Sequence, residues 1–285
     1  MAVYKRSYRG YSGALTPAWS RFLVLYRFAR RTMFRSRFQT GFFTLCFFFP
    51  LLCLLGIYAN AHLSAFSFLT KRSGPLLKMD GSFFYIFTSV QCTLAFLLTA
   101  FLGPGLVSPD LANGALTLYL CRPLARTEYV LGKLSVLVIT LSWITWVPGA
   151  VLFFTQSAME KGWMAANFNL LIGVLVGSFL WILVLSLLSL ALSAWVKWRV
   201  VAGALLLAVF FMGGGFGNAI NAVLQTQQGY LIDIARLISI VEVSFFRDGT
   251  PQPFSPLEAS LALLAIAGCC LWLLMRKVRP NEVIE

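Results

Sequence analysis

The chain has 285 residues, 59% hydrophobic and 12% charged, with 23 Lys and Arg against 10 Asp and Glu. Soluble domains carry about 25% charged residues, so half that share at a mean hydropathy of +0.80 excludes a disordered chain, a collagen-like chain and a solvated α/β enzyme. A formal charge of +13 would suggest nucleic acid in a soluble protein, but in a chain this apolar it bears first on membrane topology, and no nucleic-acid partner is expected.

Residues 1–39 form a basic segment with no short apolar core followed by a small-residue cleavage site, so no cleavable signal peptide is predicted. Within it, 17–38 predicts a helix in the headgroup region. Trp19, Phe22, Leu23, Tyr26 and Met33 fall on one face, with Arg21, Arg31 and Arg35 roughly opposite, where they would meet anionic lipid. Val24, Leu25 and Phe28 interrupt the polar face, and Arg30 and Arg37 the apolar one. Topology anchoring and partner docking both remain open for this helix.

A helix needs about 20 apolar residues to cross a bilayer core. The apolar runs give six predicted spans, at about 40–60, 83–107, 131–155, 168–195, 199–219 and 257–275. They make one all-α transmembrane domain, 40–275, followed by a tail, 276–285. Pro50, Pro104 and Pro148 are expected to kink or end helices. Connection 60–82 reads as a loop. Gly173-x-x-x-Gly177 and Gly213-x-x-x-Gly217 allow close backbone approach between helices. The run GGGFG at 213–217 either breaks the fifth helix or packs it tightly.

The long connection 219–257 contains Leu231, Ile234, Ile238, Val241 and Phe245 on one face of a helix. It is expected to lie against the bundle in the outer leaflet, with a plain extracellular loop as the alternative. The following RDGTPQPFSP is loop chemistry.

Lys and Arg in the connections set the orientation. With the N-terminus inside, the inner segments hold 17 Lys and Arg with 4 acids, and the outer segments hold 6 with 6. Both termini are therefore expected in the cytoplasm, in a multi-pass protein of a bacterial or archaeal plasma (inner) membrane.

Several chemistries lack their residues. There is no G-x-x-x-x-G-K-[ST] loop, no H-E-x-x-H, no G-x-S-x-G and no zinc spacing. The lone His62 sits at an outer boundary, and the six cysteines (46, 53, 92, 121, 269 and 270) read as small hydrophobes rather than disulfides or metal ligands. No cofactor or metal is expected on this chain. Away from their first few residues the predicted spans contain no acidic or basic residue, whereas ion-driven carriers keep one at mid-membrane. Transport by this chain would need an external energy source.

The second inner connection, LVSPDLANGALTLYLCRPLARTEYVLGKLSVLV at 106–138, holds the informative pattern. Asp110, Gly114, Leu116, Leu118, Leu120, Pro123, Arg126, Gly132 and Lys133 stand in register with an acidic residue, a Gly-Thr-Leu, an apolar run, a Pro, an Arg and a Gly/Ala-Lys opening the third span. This resembles the membrane subunit of type-2 ABC transporters, the ABC-2 type permease family. Ala115 replaces the usual Thr, Leu111 a common basic residue and Ala112 a common acid. Residues 110–121 are expected to form a short cytoplasmic coupling helix ended by Pro123. Arg122 and Arg126 would face headgroups or a partner's acids, and Glu128 would start the third helix at its positive dipole end.

The resemblance implies that two permease subunits, alike or different, pair in the membrane, with two copies of a separate ATPase subunit docked below. ATP and magnesium would bind there and not here, and this chain would be no enzyme. An exporter is the expected function. The alternative is a non-transporting membrane scaffold of an ATPase-linked envelope assembly.

Overall fold

A computed structural model describes residues 17, 20–61, 78–115, 125–246 and 252–278, with only the backbone of Arg21 and Ala61. Among the described residues the chain is helical without strands. Six stretches of the described residues are long and apolar enough to cross a membrane: Arg37–Asn60, Gly81–Ala112, Arg126–Met159, Phe168–Trp195, Arg199–Leu224 and Pro256–Lys277.

The first three of these are broken, each break falling shortly before a proline. The first divides into α2 (Arg37–Leu45) and α3 (Phe48–Ala61), after the preceding α1 (Arg21–Met33). Pro50 has no N–H to give the Cys46 carbonyl, and Gln91 Nε2 donates to that oxygen instead, at 3.3 Å. The second divides into α4 (Gly81–Leu102) and α5 (Pro104–Ala112), with Pro104 at the first helical position, where its missing N–H costs nothing. The third divides at Thr145 into α6 (Arg126–Ile144) and α7 (Trp146–Met159), three residues before the buried Pro148. The short α8 (Trp163–Ala166) follows.

The unbroken α9 (Phe168–Trp195) is apolar on every side and mostly buried, with Leu175 and Phe179 left exposed. It packs against α4 to α7, α10 (Arg199–Leu224), α11 (Ile234–Phe246) and α12 (Pro256–Lys277). Ser255 and Glu258 cap α12 reciprocally, each side chain accepting from the other's backbone N–H. The peripheral helices α3, α10 and α12 leave large apolar side chains bare, among them Phe48, Leu55, Val200, Phe211, Leu257 and Leu261.

One end of the bundle gathers cations. There Lys133 meets Asp110, Arg199 Nη2 donates to the Phe101 carbonyl at 3.1 Å, and Lys277 sits over the Trp195 ring. We call it the basic end. The opposite end is closed by an aromatic cluster in which Trp163 touches Phe84 and Phe153.

The segment after α10 departs most from the sequence expectation. The helix runs straight through GGGFG, whose glycines admit a returning chain instead of breaking the helix. Beyond Leu224 the chain turns at Gln225 (φ 49°) and folds back along α10 through a 3-10 turn, Gln228–Leu231. A Cβ on Gly217 would lie 2.7 Å from the Gly229 carbonyl oxygen, and one on Gly213 3.1 Å from that of Ile232. Gly213 is about 16 Å below Leu224 along the helix. From that depth α11 climbs back until Phe246 meets Gly81 at the start of α4. Residues 225–246 are thus a re-entrant hairpin. The helix expected against the bundle is present as α11, but it is inserted among the long helices, with Leu237, Ile238, Ile240, Val241 and Glu242 all buried.

Candidate functional site

At the basic end the two limbs of segment 106–138 come together. Asp110 projects from the last turn of α5, and Lys133, the eighth residue of α6, reaches it with Nζ 2.8 Å from Oδ2. Tyr129, one helical turn before Lys133, donates its hydroxyl to the same oxygen at 2.7 Å. The lysine side chain is 10% exposed and the aspartate 16%, so this is a nearly enclosed, hydrogen-bonded ion pair and not a solvated surface pair. It joins the acidic residue that opens the family-like pattern to the lysine that closes it.

The limb carrying Asp110 is held from behind. Ser193 of α9 accepts from the Ser108 N–H at 2.9 Å and lies 3.1 Å from the Pro104 carbonyl, to which its hydroxyl donates. Its hydroxyl thus links two backbone groups one helical turn apart, a recognised way to bend a helix. Ser108 Oγ in turn donates to the Ser193 carbonyl.

The expected single helix over 110–121 is not formed. α5 stops at Ala112, Asn113 follows, and Gly114 takes a left-handed backbone (φ 64°) with its N–H directed to Leu111 O. Glycine adopts this conformation without the strain a Cβ brings. Among the described residues no side chain lies within 4 Å of where a Cβ on Gly114 would stand, so its backbone conformation is what favours glycine there. Leu116, Leu118, Leu120 and Pro123 lie outside the described residues. Arg126 is exposed at the start of α6, and Glu128 accepts from the Ala125 N–H at 2.9 Å, capping that helix at its positive end.

α1 lies across α6 beside the ion pair. Its buried stripe is Leu25, Ala29 and Met33, with Phe22, Leu23 and Tyr26 half-buried. The apolar face is therefore rotated toward Leu25, which the sequence placed on the polar side. The cause is a partner invisible to helical periodicity: Gly132, where a Cβ would stand 2.9 Å from the Leu25 Cβ. Arg31 and Arg35 are exposed, Arg35 in the turn after α1, and Arg30 stacks over the Tyr26 ring. Trp19 lies outside the described residues. Between α1 and α5 runs a cavity of about 330 Å³ whose walls include Thr32, Gln39, Asp110, Lys133 and Arg199.

The glycine pairs receive the re-entrant hairpin. Gly213 and Gly217 face its descending limb, as described above. Gly173 meets Phe245 and Phe246, and Gly177 lies against the Glu242 side chain.

Sequence reasoning missed three features. Tyr129 could have been found as the i, i+4 neighbour of Lys133. The Ser108–Ser193 link spans 85 residues and leaves no local signal. Glu242 falls among the acids of the outer segments in the charge count, although its apolar setting, LISIVEVSFF, marks it as a buried position. Compared with known proteins, the chain matches no family model and no curated sequence.

Proposed function

We propose that this chain is the membrane-spanning permease subunit of an ATP-driven exporter of the type-2 ABC class. In this reading the basic end faces the cytoplasm of a bacterial or archaeal cell, and both termini lie there. The chain pairs with a second permease subunit, and two copies of a separate ATPase subunit dock on segment 113–126. That ATPase holds the ATP and magnesium; this chain holds neither and hydrolyses nothing.

The observation that carries the proposal is the Asp110–Lys133 pair with its Tyr129 hydrogen bond. It clamps together the two limbs that flank the docking segment. A push on that segment reaches α5, bound to α9 through Ser108 and Ser193, and reaches α6, covered by α1. Force delivered at one loop is thereby divided between two membrane-crossing stretches. The breaks at Gly103 and Thr145 give each stretch a place to bend without unwinding.

The test is reconstitution. The chain is co-expressed with the ATPase encoded beside it, purified and placed in proteoliposomes. The proposal expects a stable complex whose ATPase rate falls at least tenfold when Pro123→Asp and Arg126→Glu are combined. Failure to bind any such ATPase removes the assignment. Binding and stimulation without flux of any cargo would favour the scaffold.

A further inference from the structure

Among the described residues, Glu242 is the acid whose position calls for a ligand. It is 3% exposed and lies beside Gly177 of α9 and Cys92 of α4, residues about 14 and 16 Å along their helices from the end away from the basic cluster. That is near the middle of an apolar layer about 30 Å thick. The Cys92 thiol approaches Glu242 Oε1 at 3.7 Å, a weak donor for such a group. Among the described residues no Lys or Arg lines the space around it. An ionisable side chain at this depth with no basic partner among the described residues contributes nothing to packing that an apolar residue would not, so its presence there points to function.

A cavity of about 150 Å³ opens beside it, lined by Ser89, Cys92 and Thr93 of α4, Trp181 of α9, and Ser239 and Glu242 of α11. Its mouth lies at Thr93 and Ala235, both exposed in the groove between α4 and α11. The back wall is rigid, because the Trp181 indole donates to the Cys92 carbonyl at 2.8 Å and packs edge-on against Phe210.

The geometry points to a binding site for a small organic cation, an ammonium head group, seated between the Glu242 carboxylate and the Trp181 ring. The volume is that of a cavity that takes up benzene, enough for a head group but not a whole drug-sized molecule. A carboxylate beside an aromatic wall is the combination that recognises alkylated ammonium. Ser89, Thr93 and Ser239 hydroxyls would serve a primary or secondary amine. A hard metal ion fits less well: calcium takes six to eight oxygen ligands, and among the described residues no cluster of three His, Cys, Asp or Glu exists. The entering cation supplies the countercharge that the site lacks.

The site rests on this chain's own residues and needs neither the ATPase nor transport. It is tested by equilibrium binding to the isolated full-length chain in lipid nanodiscs. The probe is choline, and its uncharged isostere 3,3-dimethylbutan-1-ol is the control. Choline is expected to bind about tenfold or more tightly than the isostere, and Glu242→Gln to abolish that preference. Thr93→Trp, which plugs the exposed mouth without disturbing the interior, is expected to block choline. No choline binding, equal binding of the two probes, or a preference that survives both substitutions would each overturn the proposal. Because the assay contains no ATPase, its outcome is independent of whether the chain proves to be a permease.

Discussion

Asp110 and Lys133 are 23 positions apart in the sequence, yet their charged atoms are 2.8 Å apart, and a tyrosine hydroxyl shares the aspartate oxygen. With both side chains largely enclosed, each depends on the other for its solvation. Removing one partner strands the remaining charge, which is costlier than removing both.

Lys133→Met is therefore expected to lower stability by about 2–3 kcal/mol, somewhat below the cost of breaking a fully buried pair. Asp110→Asn is expected to cost less, because the amide still accepts from Tyr129. The double substitution is expected to recover at least about 1 kcal/mol relative to the sum. Thermal unfolding of the four proteins in one detergent measures the cycle.

The docking of α1 depends on a glycine. Gly132→Leu would drive a branched side chain into Leu25 and the Phe22 carbonyl, both already within 3.2 Å of where a Cβ would begin. Overpacking of this kind costs about 1–3 kcal/mol. Here the cost is expected to be relieved by release of α1, whose stripe is small. Hydrogen exchange over residues 22–33 should accelerate, while α9 stays protected.

The re-entrant hairpin depends on the Gly173 and Gly177 stripe. Gly173→Leu would collide with Phe245, whose Cβ lies 2.7 Å from the added Cβ position. The substitution is expected to loosen α11 without unfolding the six long helices. Far-ultraviolet circular dichroism should hold its helical signal, while a cysteine placed at Ile238 changes from protected to reactive toward a small maleimide.

Orientation follows from the proposed function and the positive charge at one end. Lys161→Cys and Lys197→Cys place single thiols at exposed positions on opposite ends of the bundle. In intact cells, with the native cysteines replaced, a membrane-impermeant maleimide is expected to label position 161 and leave position 197 unlabelled. The reverse pattern would place the basic end outside and remove any contact with a cytoplasmic ATPase.

Much of the architecture follows from composition along the chain, because a bilayer selects helices by uninterrupted apolar length, a property of sequence alone. Six such stretches are present among the described residues, the first three with breaks near prolines. Asp110, Gly114 and Lys133 stand out in the sequence only through a resemblance to a family pattern, and Glu128 through its place at the start of the third span; local chemistry accounts for two of the four, since glycine takes the left-handed turn and Glu128 caps the helix in whose first turn it lies. Only the tertiary structure decided which groups meet. Periodicity assigns a residue to a face but does not say what that face touches, so it misplaced Leu25, which turns inward because Gly132 leaves room for it. The same limit hid Glu242. A 13-residue helix is too short to cross a membrane and reads as a surface element. The glycines of α9 and α10 let the hairpin enter the bundle, and that packing carries one carboxyl group to mid-depth.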